Sequence, residues 1–361
     1  MDSKKEQLLA LLRADPFIDQ QSLADRLGLS RSAVAGHLAT LTREGRVLGR
    51  AYVLPGEETI HCIGGANVDR KLRTFDTLQM GTSNPALQSE TPGGVARNIA
   101  ENLARLGLPA RLVTAVGDDA AGRFLLEQAQ EAGIVTQGSL VAGDAPTGSY
   151  TAVLDHQGQM WLALAAMPLV ERLTPEFLRR SAPQRAQAKL TVVDLNLPAD
   201  SLALLIEEAR ERDRALIAVA VSEPKMARLP PDLAGLQCLI LNGGELRALL
   251  GRELPVEAAL AELHGRGVPQ VVLTEGRSGI VCSEVDQLPI RMTAPIVKVV
   301  DVTGAGDAFA AGLCAGLYRS PQDLTLACRL GLQLAALTLQ TEATVHPELG
   351  PGWLRNPLES A

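Results

Sequence analysis

The hydrophobic pattern changes period along the chain. Leu8, Leu9, Leu11 and Leu12 fall at helical spacing within residues 5–14, residues 22–27 add a short second helix, and Ser30 is placed to cap a third over 31–41. Within that third helix Val34, Leu38 and Leu41 share one face, and the turn before it, Leu27-Gly28-Leu29-Ser30, is short and contains a glycine. Two helices joined in this way have the layout of a helix-turn-helix. Residues 46–54 read as two short strands turned around Gly49-Arg50, a wing.

From Thr59 onward, short β-branched runs alternate with helical patterns. Strands are expected at 60–63, 111–116, 190–193, 216–221, 238–241 and 270–273, with helices near 94–106, 119–132, 201–212, 244–250 and 256–266. Such alternation implies a doubly wound α/β fold with a parallel sheet. Two stretches break the rhythm, near 71–90 and 147–166. Their apolar runs, 150–154 and 160–164, read as strands outside the main sheet, fit to form a small β lid over a site. Pro55-Gly56-Glu57-Glu58 is polar, turn-prone punctuation, so the units are 1–54, a linker at 55–58, and 59–361.

Composition narrows the setting. With 361 residues, 46% of them hydrophobic, a sizeable core is expected. The five cysteines are odd in number and never spaced C-x-x-C, which suggests neither a disulfide framework nor a zinc site and fits a reducing cytosol. No apolar stretch reaches spanning length, so a soluble, cytoplasmic protein without a membrane partner is expected. A net charge of −7 argues against the whole molecule binding nucleic acid, yet residues 1–54 hold eight Lys/Arg against six Asp/Glu. Arg31 and Ser32 at the start of the third helix, and Arg46 and Arg50 at the wing, are the candidate DNA contacts. A three-helix cap or a dimerisation module is the other reading of this unit.

Candidate chemistry clusters at the expected C-terminal ends of strands, where open α/β sheets place ligands. Asp301-Val302-Thr303-Gly304-Ala305-Gly306-Asp307 precedes an apolar helical run. A Gly-Ala-Gly turn lets backbone N–H groups approach an anion, and the helix dipole acts at the same point. Asp307 beside it suits removal of a proton from an attacking alcohol. Alone, the turn reads equally well as an ordinary tight turn. Asn67, Asp69, Gly93, Gly94 and Asn98 offer a carboxylate and amides suited to vicinal hydroxyls of a sugar, and Asn196 ends another strand on the same side. Asn242-Gly243-Gly244-Glu245 offers hard oxygen ligands that can orient Mg²⁺ through water, and Thr274 to Gly279 a glycine loop for nucleotide phosphates. No G-x-x-x-x-G-K-[ST] loop and no protein-kinase signature set occurs.

Taken in order, G-G-A-N-V-D (64–69), G-G-V-A-R-N (93–98), N-G-G-E (242–245), T-E-G-R-S-G (274–279) and D-V-T-G-A-G-D (301–307) resemble the ribokinase-like, or PfkB, carbohydrate kinase family. Residues 1–54 resemble the winged helix-turn-helix domains of bacterial regulators. The family resemblance implies a ribokinase-like sheet with a β lid, ATP and Mg²⁺ as cosubstrates, Asp307 as base, and Gly304, Ala305 and Gly306 as the anion hole. It further implies Asn242, Thr274, Gly276 and Gly279 near ATP, Glu245 on Mg²⁺ through water, and Asp301 and Thr303 on a monovalent cation, K⁺. A homodimer paired through the lid follows from the same resemblance. Ser83-Asn84-Pro85, Thr147-Gly148-Ser149-Tyr150 and Val221-Ser222-Glu223-Pro224-Lys225 resemble the pseudouridine kinase subgroup and its helix-turn-helix-bearing nucleoside kinase relatives. Pseudouridine is then the expected acceptor, with inosine, uridine, cytidine or a sugar as alternatives. Ala165-Ala166 stands where such relatives often carry a polar pair, and a nucleoside-sensing regulator is the rival to an enzyme.

Overall fold

The computed structural model describes residues 4–14, 18, 20–47, 58–186 and 188–355. Near the N-terminus α1 (Lys4–Ala14), α2 (Gln20–Leu27) and α3 (Arg31–Arg43) enclose their own core of Leu8, Leu9, Leu23, Ala24, Leu27, Val34 and Leu41. Ser30 caps α3 as expected, its hydroxyl accepting from the Ala33 amide at 3.2 Å. Residues 48–54 of the expected wing, Arg50 among them, and most of the linker lie outside the described residues.

The larger part carries β1 (Ile60–Ile63), β2 (Asn67–Thr74), β3 (Ala86–Gly93), α4 (Val95–Arg105), β4 (Ala110–Val113), β5 (Ala115–Gly117), α5 (Ala120–Glu131), β6 (Leu140–Ala142), β7 (Ser149–Leu154) and β8 (Met160–Ala166). Then come α6 (Pro175–Arg179), α7 (Ala182–Arg185), β9 (Leu190–Asp194), α8 (Ala199–Arg212), β10 (Ala215–Val219), β11 (Cys238–Asn242), α9 (Gly243–Leu250) and α10 (Val256–Gly265). The chain goes on through β12 (Gln270–Thr274), β13 (Ile280–Glu284), β14 (Ile290–Met292), α11 (Ala305–Arg319) and α12 (Leu324–Thr338). The main sheet has the order β14-β13-β12-β11-β10-β9-β1-β4, with β4 to β12 parallel and β13 and β14 antiparallel at the edge. Every residue of β1 is buried, as a central strand covered on both faces requires.

Each face has its own core. On one, α4, α11 and α12 pack around Ile99, Leu103, Leu313 and Leu334, and all five cysteines lie in this cluster. On the other, Leu178, Leu202, Leu205, Leu260 and Leu263 cover the opposite side of the strands. Helix α11 can lie close to α12 because Gly316 and Gly312 leave no side chain between them: an added Cβ would come within 2.4 Å of Ala327 and 2.7 Å of Leu330 backbone, respectively.

Several expectations are corrected here. The single strand expected at 111–116 is two, β4 in the main sheet and β5 paired with β6. The hairpin β13–β14 and helix α12 were not foreseen. The lid is a four-stranded sheet, β3-β2-β7-β8, and its first strand starts at Asn67, shortly after β1 ends at Ile63, rather than near residue 71. Among the described residues no helix is long and apolar enough to cross a membrane.

Candidate active site

The two roots of the lid meet at the site. Gly64 and Gly65 join β1 to β2, while Gly94 joins β3 to α4; a Cβ on Gly94 would stand 2.5 Å from the Gly65 carbonyl oxygen, and its φ of 101° favours glycine as well. Asp194, at the end of β9, pins both roots. Its carboxylate accepts from the amides of Gly65 (2.8 Å), Ala96 (3.0 Å) and Asn196 (2.9 Å). Burial pushes its pKa up, against the pull of these donors.

Asp69, two residues beyond Asn67 on β2, pairs with Thr91 on β3, and its carboxylate reaches back to Gly93, where a Cβ would lie 2.2 Å from it. Asn67 donates to Asp69 at 2.6 Å, and burial raises the pKa of Asp69 despite that bond. From α4, the Asn98 carboxamide donates to the Asp307 carboxylate at 2.7 Å. Its orientation is fixed from behind: Arg97, 2% exposed, donates to the Asn98 carboxamide oxygen at 2.8 Å, to the Pro92 carbonyl, and to Glu101. The N–H end of Asn98 therefore points at Asp307.

Asp307 sits in the first turn of α11. Solvent still reaches it, yet protein crowds it, and the crowding raises its pKa to about 7; the charges of Asp194 and Asp69 push the same way, and Asn98 and Arg97 pull back. Gly304 has φ of 82° and abuts the Thr344 carbonyl, where a Cβ would clash at 2.2 Å. The Ala305 amide donates to the Val302 carbonyl at 3.3 Å, and the Ala308 amide to Gly304 at 2.8 Å. The candidate donors to an anion in the turn are thus the amides of Gly306 and Asp307, with open space above Gly306. Ala305 is corrected accordingly: its amide is already engaged.

Farther along the sheet, Asn242 and Thr274 are register partners at the ends of β11 and β12. Asn242 and Glu245 form a reciprocal capping box on α9, at 3.0 and 2.8 Å. Glu223 reaches the same helix start, with a carboxylate oxygen 2.3 Å from where a Gly244 Cβ would be, and its charge adds to burial in raising the Glu245 pKa. Two carboxylates held together suit a hydrated Mg²⁺, so these residues fit that ion. Gly276 (φ 59°) and Gly279 (φ 104°) form the turn between β12 and β13.

The expected K⁺ ligands do not fit that ion. One Asp301 oxygen accepts from both the amide and the hydroxyl of Thr303, at 2.8 and 2.7 Å, and the other accepts from the Lys71 ammonium at 2.5 Å. A second cation roughly 4 Å from that ammonium would be repelled by ~4 kcal/mol at an effective dielectric of ~20. Asn196 is also corrected: its carboxamide oxygen is taken by Lys225. Among the DNA candidates, Arg31 and Ser32 are exposed on α3, but Arg46 closes a bidentate pair with Glu6, at 2.8 and 3.0 Å. Sequence reasoning passed over Asp194, Arg97 and Lys71. Only Arg97 carried a visible signal, as the first of the i,i+4 series Arg97, Glu101, Arg105.

A lidded α/β sheet with an anion-binding helix start and an adjacent raised carboxylate defines a phosphotransferase of the sugar-kinase class. The comparisons make this specific: residues 57–349 match the pfkB family carbohydrate kinase profile, and the chain belongs to that family of ATP-dependent kinases. Residues 1–47 match the winged helix-turn-helix DNA-binding profile. Among curated relatives, the uncharacterized sugar kinase YeiI of Escherichia coli is 34% identical, over 87% of this chain and 87% of its own. The pseudouridine kinase of the same organism is 33% identical, over 80% of this chain and 92% of its own. A solved carbohydrate kinase from Agrobacterium tumefaciens superimposes with a TM-score of 0.74 at 32% identity, covering 84% of this chain and 97% of that one.

Proposed function

We propose that this kinase transfers the γ-phosphoryl group of ATP to the 5′-hydroxyl of a nucleoside, with pseudouridine as the favoured acceptor. The observation that carries the transfer step is Asp307: a carboxylate raised to about 7, oriented by Asn98, and set in the same helical turn as the free amides of Gly306 and Asp307. A base with its pKa near the working pH is both deprotonated and strong enough to take a hydroxyl proton. Asp69, to which Asn67 donates at the lid root, would accept from the ribose hydroxyls. The nucleoside preference is supported by the lid sequence motifs and by the pseudouridine kinase among the relatives.

The alcohol oxygen attacks phosphorus as its proton passes to Asp307, and the bond to the ADP oxygen breaks. The amides at the start of α11 stabilise charge on the transferring group. Bound near Glu245 and Glu223, Mg²⁺ would neutralise phosphate charge. Thr274, Gly276 and Gly279 would border the nucleotide phosphates, although the Gly279 amide itself is engaged with the Gly276 carbonyl. The lid closes over the acceptor to exclude water. Exposed Leu162, Leu164 and Met160 on β8 give the lid an apolar face suited to a second copy of the chain, in line with a homodimer. Helix α3 would enter a DNA groove with Arg31 and Ser32 leading.

A panel of nucleosides and sugars in a coupled ADP-release assay tests the assignment. Pseudouridine should give the highest kcat/KM. Preference for inosine, uridine, cytidine or a free sugar would reassign the acceptor, and no turnover with any of them would leave a nucleoside-sensing regulator.

A further inference from the structure

We propose that Lys71, carried on the lid strand β2, is a positioning residue for the anion hole and takes the place of an activating monovalent cation, so that phosphoryl transfer by this chain needs no K⁺. The inference rests on the kinase reading above for its rate predictions, but not for its binding prediction.

Three contacts in series support it. The Lys71 ammonium donates to one oxygen of Asp301 at 2.5 Å, with side-chain exposures of only 32% and 22%. The other oxygen of Asp301 holds Thr303 by its amide and its hydroxyl. Thr303 adjoins Gly304, whose backbone is wedged against the Thr344 carbonyl, and the next residues are the amides of α11. A positive charge beside Asp301 therefore braces the loop that sets the direction of the anion-facing N–H groups. Burial raises the Asp301 pKa, but Lys71 and Thr303 outweigh it, so the carboxylate stays ionised below its ordinary value. An ammonium has the charge of K⁺, and being tethered it loses less freedom on binding than an ion drawn from solution. Because Lys71 lies two residues along β2 from Asp69, the same strand that presents a candidate acceptor ligand also presents this charge.

The test compares wild type, Lys71→Met and Lys71→Gln in KCl and in tetramethylammonium chloride at equal ionic strength. Without any substrate, the wild-type Tm should be the same in both salts, while the variants should gain a K⁺-specific rise of about 2 °C as the ion enters the vacated place. In turnover, wild type should be indifferent to K⁺. Lys71→Met should lose on the order of 10- to 100-fold in kcat with little change in nucleoside KM, and K⁺ should restore part of the loss. Should Lys71→Met fail to fold, Lys71→Gln carries both arms. A wild-type rate or Tm that rises with K⁺, a variant with the wild-type rate, or a variant slowed without any K⁺ response overturns the proposal. Absence of turnover with every acceptor would defeat the kinase reading alone, and the substrate-free Tm comparison would still decide the cation question.

Discussion

At the scale of single residues, Asp307 sets the pH behaviour. Its folded pKa of about 7 lies above the ordinary 3.8, so the native state holds a proton that the unfolded chain releases between those values. Stability from this group is therefore present below pH 4 and lost as pH rises to about 7. Because solvent reaches the carboxylate, the loss is discounted to on the order of 1–3 kcal/mol. Denaturant titrations at pH 5 and pH 8 should show this decline in wild type and not in Asp307→Asn, in the absence of ligands. Activity runs the opposite way: kcat/KM should fall about tenfold per pH unit below pH 7, and Asp307→Asn should reduce kcat by about 10²- to 10⁴-fold. A flat acid limb in wild type would remove Asp307 from the role of base. Asp307 and Asn98 were legible because each stands in a glycine-rich motif at an element start. Asp194 and Lys71 were not, since, Asn196 apart, their partners lie 98 to 230 residues away and only folding brings them together.

At the scale of elements, the helix start of α11 makes a separable contribution. A Cβ on Gly306 meets nothing within 4 Å, so Gly306→Ala should leave the Tm within about 1 °C while placing a methyl group where the phosphoryl oxygens approach. A fall in kcat of about tenfold or more is expected from coupled assays, and an unchanged rate would move the anion hole elsewhere. The parallel strands were readable because they are buried on both faces and come as short apolar runs. The antiparallel hairpin β13–β14 was missed for a physical reason: the glycine turn 275–279 was read only as a loop for nucleotide phosphates, and it also folds the chain back along β12. Helix α12 was passed over because its apolar residues run nearly all round it, leaving little polar face to set a period.

Across the whole molecule, a kinase of the pfkB family is joined in one chain to a winged helix-turn-helix unit. Both were apparent in sequence because each keeps its own hydrophobic period and its own core. If the N-terminal unit binds DNA, retention of operator fragments should weaken steeply with salt, and Arg31→Ala should reduce it at every salt concentration. Gel-shift titrations between about 50 and 200 mM salt measure this, and retention equal to that of random DNA at low salt would exclude a regulatory role.

The gathering of all five thiols into one interior face also gives the molecule a built-in clock. Each is at most 3% exposed; burial holds Cys62, Cys238 and Cys314 well above the usual thiol pKa, and Cys282, whose pKa its hydrogen bond with Cys328 lowers, is kept from reagents by the same cover of α4, α11 and α12. Reaction with a thiol-specific dye therefore reports how often that layer lifts away from the strands. Ligands that tighten the layer should slow the labelling in proportion to their occupancy, which offers a measure of binding that requires no catalytic turnover.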